Sequence, residues 1–201
     1  MTSLNYYAGY IGGVFTIIAC ISYIKAIIVG KVQSNRVTWG IWVLVTGLIS
    51  LYYYQTNGLV SSIWVSIAYF IGTTITFVLL LMYSHKGYWT LVEKIALVGV
   101  VIVFIFRIIL NSSPIFALSL TMVIDIIGAI PLVVAVYKDS TIDYKFAWFL
   151  GLISNIINIF AVEKWDYNNA GYPIYMVILT FTVTILLYFP NFLRKIEYKV
   201  K

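Results

Sequence analysis

Seven apolar runs follow one another along this chain, and each is long enough to cross the hydrocarbon core of a bilayer as a helix. Inside hydrocarbon, every backbone N–H and C=O group needs a partner within the protein, and a helix supplies those partners within one segment. The sequence therefore predicts an all-α membrane protein with seven transmembrane helices. The predicted spans are residues 8–29, 37–55, 59–83, 93–110, 115–137, 146–162 and 171–190.

The composition leaves no room for a separate soluble domain. Hydrophobic residues make up 62% of the 201 residues and charged residues 10%, whereas soluble domains carry about 25% charged residues. The net charge of +6 would suit nucleic acid if the protein were soluble. In a membrane protein, the same charge must first be compared with the topology.

Basic residues are distributed unevenly between the two sides that the spans define. The connections after spans 2, 4 and 6 hold only Lys164, and Arg107 lies inside span 4. The other eleven of the thirteen basic residues all lie on the opposite side: Lys25, Lys31, Arg36, Lys86, Lys94, Lys138, Lys145, Arg194, Lys195, Lys199 and Lys201. Because basic connections stay in the cytoplasm, we expect a multi-pass plasma-membrane protein with an external N-terminus and a cytoplasmic C-terminus. Orientation then explains the charge, and nucleic acid is excluded as a partner.

The seven spans divide into two similar sets of three. Sliding residues 22–55 onto 131–164, an offset of 109, superposes a helix end, a basic loop and the next helix. With span 4 as an odd linker, both sets have the same orientation, as parallel repeats do. The predicted plan is 3+1+3, with a first three-helix repeat at 1–91, a linker helix at 92–113, a second repeat at 114–191 and a basic tail at 192–201.

One face of span 6 combines an aromatic residue with two amides. Positions spaced i, i+3, i+7 and i+10 share a helical face, and here they include Trp148, Asn155 and Asn158. At the same offset, span 2 carries Trp42 and Thr46. An aromatic plane beside an amide suits a ring-bearing or polyhydroxyl solute. The alternative is that the asparagines join neighbouring helices and that the tryptophans belong to an interfacial belt.

Spans 3 and 7 carry weaker polar faces. Tyr69 and Thr73 share a face of span 3, and Tyr175 and Thr182 lie among apolar residues of span 7. Hydroxyl residues of this kind often let helices pack closely. We interpret Tyr69 and Thr73 as wall residues of a central site.

Asp125 lies near the middle of span 5, where an ionised carboxylate costs roughly 2.5–3.5 kcal/mol. It predicts a proton- or cation-coupling site or an anchor for a polar substrate, and the alternative is a structural carboxyl bonded to a neighbouring helix. A pair with Arg107 would have to bridge a depth difference of about 10 Å. Pro131, in the same span, removes one backbone hydrogen bond and predicts a gating hinge.

A resemblance to a known family rests on the segment IPLVVAVYKDSTIDYKFAWFLGLISN. It resembles the PQ-loop motif, in which a proline ends the first helix of a three-helix unit, a lysine follows seven residues later, and a short loop precedes a helix with small and amide residues. The 3+1+3 plan is similar to that of the SWEET sugar transporters, the nicotinamide riboside transporters, and the cystine and cationic amino acid transporters.

The first-half segment YIKAIIVGKVQSNRVTWGIW resembles part of small prokaryotic membrane proteins of this plan. The resemblance implies alternating access with proline-hinged gating in span 5. The chain departs from the motif at Leu132, where the motif has glutamine, and at Ser22-Tyr23 in the first half.

We therefore expect a transporter that moves a small polar solute, either a sugar or a nucleoside-like or amino-acid-like molecule, through a central cavity. The expected substrate-binding residues are Asn155, Asn158, Asp125, Trp148, Trp42, Thr46, Tyr69 and Thr73. The alternative is a seven-helix receptor or assembly factor that binds a peptide or lipid without transport. One membrane aspartate and one loop histidine, His85, offer no catalytic constellation, so no enzyme, metal or cofactor is expected. Proton or cation coupling, and oligomerisation in the lipid membrane, stay open.

Overall fold

The structure is a computed structural model that describes residues 3–32, 36–83, 91–110 and 113–190; the side chains of residues 3, 93, 103, 104, 106–108 and 110 lie outside this description. The described residues form seven α-helices: α1 (Ser3–Ile28), α2 (Arg36–Asn57), α3 (Ile63–Tyr83), α4 (Leu91–Leu110), α5 (Pro114–Lys138), α6 (Lys145–Ile159) and α7 (Tyr167–Tyr188). Each helix coincides with one predicted span to within a few residues. His85 and the basic tail lie outside the described residues.

Five of the described helices, α1, α2, α3, α5 and α7, are long and apolar enough to cross a membrane. Helix α6 is apolar but has 15 residues, which is about 22 Å at 1.5 Å per residue, against a hydrocarbon core of about 30 Å. Helix α4 has 20 residues and carries Glu93, Lys94 and Arg107. The fold is all-helical, and these apolar helices are compatible with a multi-pass membrane protein.

Two glycines with positive φ end the first two helices. Gly30 has a φ of 69°, and its N–H donates to the carbonyl of Ile27 at 3.0 Å. The N–H of Lys31 then donates to the carbonyl of Ala26 at 2.9 Å, which completes a Schellman motif. Gly58, with a φ of 72°, ends α2 in the same left-handed conformation. Only glycine adopts this conformation at no steric cost, so the two residues set where α1 and α2 stop.

Helix α7 begins at a side-chain cap. The Oδ1 atom of Asp166 accepts hydrogen bonds from the backbone N–H of Asn169 at 3.0 Å and from its Nδ2 at 2.9 Å. These bonds satisfy N–H groups that have no partner inside the helix. Hydrogen bonds from the side chain and the backbone of Asn169 hold the pKa of the Asp166 carboxyl below its usual range.

We expect the Asp166 cap to make stability depend on pH at the acid end. Because the pKa of this carboxyl is lower in the folded state, its contribution is present at neutral pH and is lost as the pH falls through that lowered value. Asp166→Ala should lower the thermal unfolding midpoint by a few degrees at pH 7, and the difference from wild type should shrink as the pH drops below about 4. Asp166→Asn, which keeps the acceptor oxygen, should retain most of the cap. A wild-type advantage that is unchanged at pH 3 would contradict this assignment.

Six helices form a closed ring. Helix α1 packs against α3, α3 against α2, α2 against α5, α5 against α7, α7 against α6, and α6 against α1. Helix α4 packs on the outside against α5 and touches α2. The ring therefore joins the set α1, α3, α2 to the set α5, α7, α6 mainly through two contacts, α2 with α5 and α6 with α1, with smaller contacts of α2 with α7 and of α3 with α6. We call these sets the first half and the second half.

Apolar packing closes the end of the ring where α1, α3, α5 and α7 finish and α2 and α6 start. We call this the basic end, because Lys25 and Lys138 lie in the last turns of α1 and α5 and α6 starts at Lys145. Its buried cluster is Tyr23, Ala26, Ile27, Val32, Trp39, Trp42, Leu80, Ala129, Leu132, Val136, Ala147, Val183, Leu186 and Leu187. The N-terminus of α1 and the start of α7 lie at the opposite end.

Candidate functional site

A partly enclosed cavity of about 90 Å³ lies inside the ring, between the two halves. Since one water needs about 10–15 Å³, the cavity has room for several waters or for a small solute. All six ring helices contribute to its lining. The lining residues are Ala19, Cys20, Tyr23, Trp39, Trp42, Thr46, Tyr69, Thr73, Thr76, Asp125, Ala147, Trp148, Gly151, Met176, Leu179 and Thr180. Both halves therefore contribute to one shared space.

Four aromatic rings form a continuous wall, which we call the aromatic arc: Tyr23, Trp39, Trp42 and Trp148. The ring centroids of Tyr23 and Trp39 are 4.9 Å apart, and those of Trp39 and Trp42 are 5.2 Å apart. Trp42 and Trp148, from opposite halves, follow at 5.9 Å. Contacts at these distances hold each ring in a defined orientation. The arc thus presents rigid aromatic surface to the cavity and joins the halves at the basic end.

Asp125 places a carboxyl group in this aromatic setting. Its side chain is 3% exposed and lines the cavity. The indole of Trp42 and the hydroxyl of Tyr175 lie beside the carboxyl, yet Oδ1 of Asp125, Nε1 of Trp42 and Oη of Tyr175 have no well-formed hydrogen bond among the described residues. A buried polar group without a partner is costly. Such a group is therefore expected at a place where a ligand or water supplies the missing partner.

Each half carries one polar pair next to the cavity. In the first half, the hydroxyls of Thr46 in α2 and Thr73 in α3 are 3.0 Å apart. In the second half, Nδ2 of Asn155 in α6 lies 3.4 Å from the hydroxyl of Thr180 in α7. Asn155 also donates to the hydroxyl of Tyr69 at 2.8 Å, which links the halves. Each pair therefore joins the second and third helices of its own half, beside the cavity.

Asn155 lies behind the cavity wall and not in it. Its side chain is completely buried, and Nδ2 bonds to Tyr69, which does line the cavity. Its Oδ1 has no partner among the described residues. Asn155 thus holds the Tyr69 hydroxyl in place.

The contact between α1 and α6 is sealed by small polar residues. The hydroxyls of Thr16 and Ser154 share a hydrogen bond of 2.6 Å, and Ser154 also donates to the carbonyl of Gly12 at 2.7 Å. Asn158 is buried one turn farther along α6, beside Gly12. Neither the nitrogen nor the oxygen of its amide has a partner among the described residues. Asn158 therefore belongs to this helix contact and is not part of the cavity lining.

At the opposite end, hydrogen bonds connect the two halves. Tyr53 donates to the carbonyl of Asn169 at 2.8 Å, and Asn57 donates to the carbonyl of Asn168 at 3.0 Å. Asn5 donates to two carbonyls in the turn after α6, those of Phe160 and Val162, at 3.0 Å each. We call the donors Asn5, Tyr53 and Asn57 with their acceptors the latch. The opposite end is thus joined by directional bonds, whereas the basic end is packed with aromatic and aliphatic side chains.

The structure brings most of the residues predicted to bind substrate to one place. Asp125, Trp148, Trp42, Thr46, Tyr69 and Thr73 line the cavity, Asn155 lies directly behind it, and Asn158 lies at the contact of α1 with α6. Pro131 is buried inside α5, which continues through it as helix. The side chain of Arg107, which was weighed as a partner of Asp125, lies outside the described residues.

Tyr23, Cys20 and Thr180 line the cavity but are not among the residues predicted to bind substrate. The predicted polar face of span 7 includes Thr182, but Thr182 is exposed on the outside of the ring and Thr180 faces the cavity. A fixed offset between the halves does not find Thr180, because Thr73 follows Thr46 by 27 residues whereas Thr180 follows Asn155 by 25.

Within the described residues, no group of three or more histidine, cysteine, aspartate or glutamate side chains is placed to hold a metal ion. The chemistry of the cavity is that of one carboxyl group, hydroxyls and aromatic surface. The chain matches no family model, no curated protein and no solved structure.

Proposed function

We propose that this protein is a membrane transporter that moves a small polar solute by alternating access through the cavity between its two halves. The observation that carries the proposal is the cavity itself: it lies at the junction of two helix sets and holds buried polar atoms that have no partner among the described residues. Cavities of this kind at the interface of repeats are where transporters bind their cargo.

The order of helices in the ring supports a 3+1+3 plan. The sequence α1, α3, α2 in the first half corresponds to α5, α7, α6 in the second, and the two contacts between halves also correspond. At the offset of 109, Thr16 in α1 matches Asp125 in α5, and both are buried polar residues at a junction of the halves. Helix α4 outside the ring fits the role of a linker. The proposed repeats are parallel, with seven spans, an external N-terminus and a cytoplasmic tail in the plasma membrane.

Two closures of different chemistry support alternating access. The latch at the opposite end can open by exchanging its hydrogen bonds for bonds to water, whereas the basic end can open only by separating aromatic and aliphatic side chains. Movement of one half against the other would open one end while the other stays closed. We propose that Pro131 is the hinge in α5, because the backbone hydrogen bond that it lacks makes bending easier there.

The lining argues against a phosphorylated cargo. No lysine, arginine or histidine is among the described residues that line the cavity, and phosphate groups are bound chiefly by such cations or by clusters of backbone N–H groups. The walls are mostly aromatic, with a few polar atoms, as in sites for small molecules that combine an apolar body with a polar group.

The proposal is tested by a flux screen over neutral, cationic and zwitterionic solutes in liposomes that contain the purified protein. For a solute that is carried, Asn155→Ala removes the donor that holds the lining Tyr69 hydroxyl, and Thr180→Val removes a lining hydroxyl. We expect each variant to lower the rate at least about tenfold, because a loss of one polar contact of about 1.4 kcal/mol gives that factor. Thr182→Val, two residues from Thr180 but on the outside of α7, should carry the solute at the wild-type rate.

Two outcomes would contradict this proposal in different ways. If a solute is carried and the Asn155 and Thr180 variants carry it normally, the cavity is not the path. If a solute, peptide or lipid binds in fixed stoichiometry and no flux follows under any gradient, the protein is the receptor or assembly factor that the same architecture would also allow.

A further inference from the structure

We propose, building on the function proposed above, that the cargo is a small organic cation, an ammonium or quaternary ammonium, held between the Asp125 carboxylate and the aromatic arc. Two independent features of the cavity lead to this class: its charge and its aromatic lining.

The charge of the lining is unbalanced. Asp125 is the one carboxylate among the described lining residues, and no basic side chain accompanies it there. An ionised carboxylate that is 3% exposed needs a counter-charge or several hydrogen bonds. The neighbouring indole of Trp42 and hydroxyl of Tyr175 are neutral donors, so they can hydrogen-bond to the carboxylate but supply no counter-charge. A cation in the cavity would supply the missing partner.

The aromatic arc offers the second half of such a site. Trp42 lies beside Asp125 and is also 5.2 Å from Trp39 and 5.9 Å from Trp148, measured between ring centroids. A cation within about 6 Å of an indole centroid is attracted by the ring, and tryptophan is the strongest of the aromatic residues in this respect. Neighbouring rings from both halves next to one carboxylate form an arrangement suited to a cation with an apolar surface.

Other solute classes fit the lining less well. A sugar needs many hydrogen-bond donors and acceptors, but two of the lining threonine hydroxyls already give their one proton to backbone carbonyls. Thr46 donates to the carbonyl of Trp42 at 2.6 Å, and Thr180 donates to the carbonyl of Met176 at 2.7 Å. A zwitterionic amino acid needs a cationic partner for its carboxylate, and the described lining has none. A small organic cation needs only the groups that are present.

A pair of isosteric probes tests this inference. Choline and 3,3-dimethylbutan-1-ol have nearly the same shape, and only the first carries a positive charge. We expect the purified full-length protein to bind choline at least about tenfold more tightly than the neutral alcohol. Asp125→Asn should reduce that ratio to near one. Asp139→Asn, which removes an exposed carboxylate at the end of the same helix but keeps the oxygen that accepts from Thr141, should leave the ratio unchanged.

The outcomes separate this inference from the proposed function. Equal binding of the two probes to the wild-type protein, or an undiminished ratio in folded Asp125→Asn, overturns the inference, even if some other solute is carried. Preferential binding of choline without flux across liposomes upholds the inference and overturns transport. If Asp125→Asn does not fold, the comparison of the two probes on the wild-type protein still decides the question.

Discussion

Replacing Gly9 by alanine is expected to separate α1 from α3. A Cβ atom at Gly9 would overlap the backbone carbonyl oxygen of Ser61, at the turn that leads into α3. A side chain can rotate away from such a contact, but a backbone carbonyl moves only with its turn, and Ser61 is also held there by Glu163, whose carboxylate accepts from the Ser61 N–H at 3.3 Å. We expect Gly9→Ala to lower the free energy of unfolding by about 3 kcal/mol, near the upper end of overpacking effects.

Gly13 gives the matched control for this prediction, one turn along the same helix. A Cβ atom there would lie 3.5 Å from the Cβ of Trp64, an ordinary contact. Since alanine favours helix over glycine by about 1 kcal/mol, Gly13→Ala should be neutral or slightly stabilising. The two variants can be compared by reversible unfolding in mixed micelles. Equal free energies of unfolding for the two variants would mean that α1 and α3 do not approach each other as closely at Gly9 as the structure has it.

The positions of the helices follow from the sequence because hydrocarbon leaves few alternatives. A long apolar run must satisfy its own backbone, so the length and the breaks of each run predict a helix with little dependence on its neighbours. The helix ends are also local: Gly30 and Gly58 adopt a positive φ that ends α1 and α2, and Pro114, which has no backbone N–H, starts α5. Span 6 was predicted to reach residue 162, whereas α6 ends at Ile159. The N–H groups of residues 160–162 bond three residues back, so the segment continues as a tighter turn that composition does not distinguish from α-helix.

The site could be predicted only in part, because a helical face depends on the register between helices. The offset of 109 pairs Thr46 with Asn155, and these two residues do take similar places in α2 and α6. The same offset does not pair the corresponding residues of α3 and α7, because Thr73 follows Thr46 by 27 residues whereas Thr180 follows Asn155 by 25. A shift of two residues turns a helix by about 200°, so the same offset moved the predicted face of span 7 from Thr180 to Thr182.

The glycines of span 1 predict close packing at its outer end, but the partners of such contacts could not be predicted from one sequence. Gly9 meets Ser61, and Cys20 meets Gly72, where the crossing points of α1 and α3 bring them together. A glycine in an apolar run is equally compatible with a lipid-facing position, a bend or a close crossing. The choice between these depends on the partner helix, which is set by packing over the whole ring.

Cys20 is the chain's one cysteine, and modification of it is expected to block the cavity. Its side chain lines the cavity, and its sulfur packs against Gly72 of α3, where an added Cβ atom would overlap it. The group added by N-ethylmaleimide is larger than the space beside Gly72, so it must extend into a cavity of about 90 Å³. We expect the alkylated wild-type protein to lose at least about 90% of its flux for any solute that it carries, and a bound solute to slow the alkylation.

A control on the same helix separates blockage of the cavity from a general effect of alkylation. The double variant Cys20→Ala/Ile21→Cys moves the thiol to the neighbouring position, where the native side chain is 48% exposed on the outer surface of the ring. Alkylation there should leave flux unchanged, and the flux that Cys20→Ala retains should be insensitive to the reagent. Normal flux through a fully alkylated wild-type protein would show that the solute does not pass between α1, α3 and the aromatic arc. In that case the buried carboxyl of Asp125 would have to be explained without a cargo.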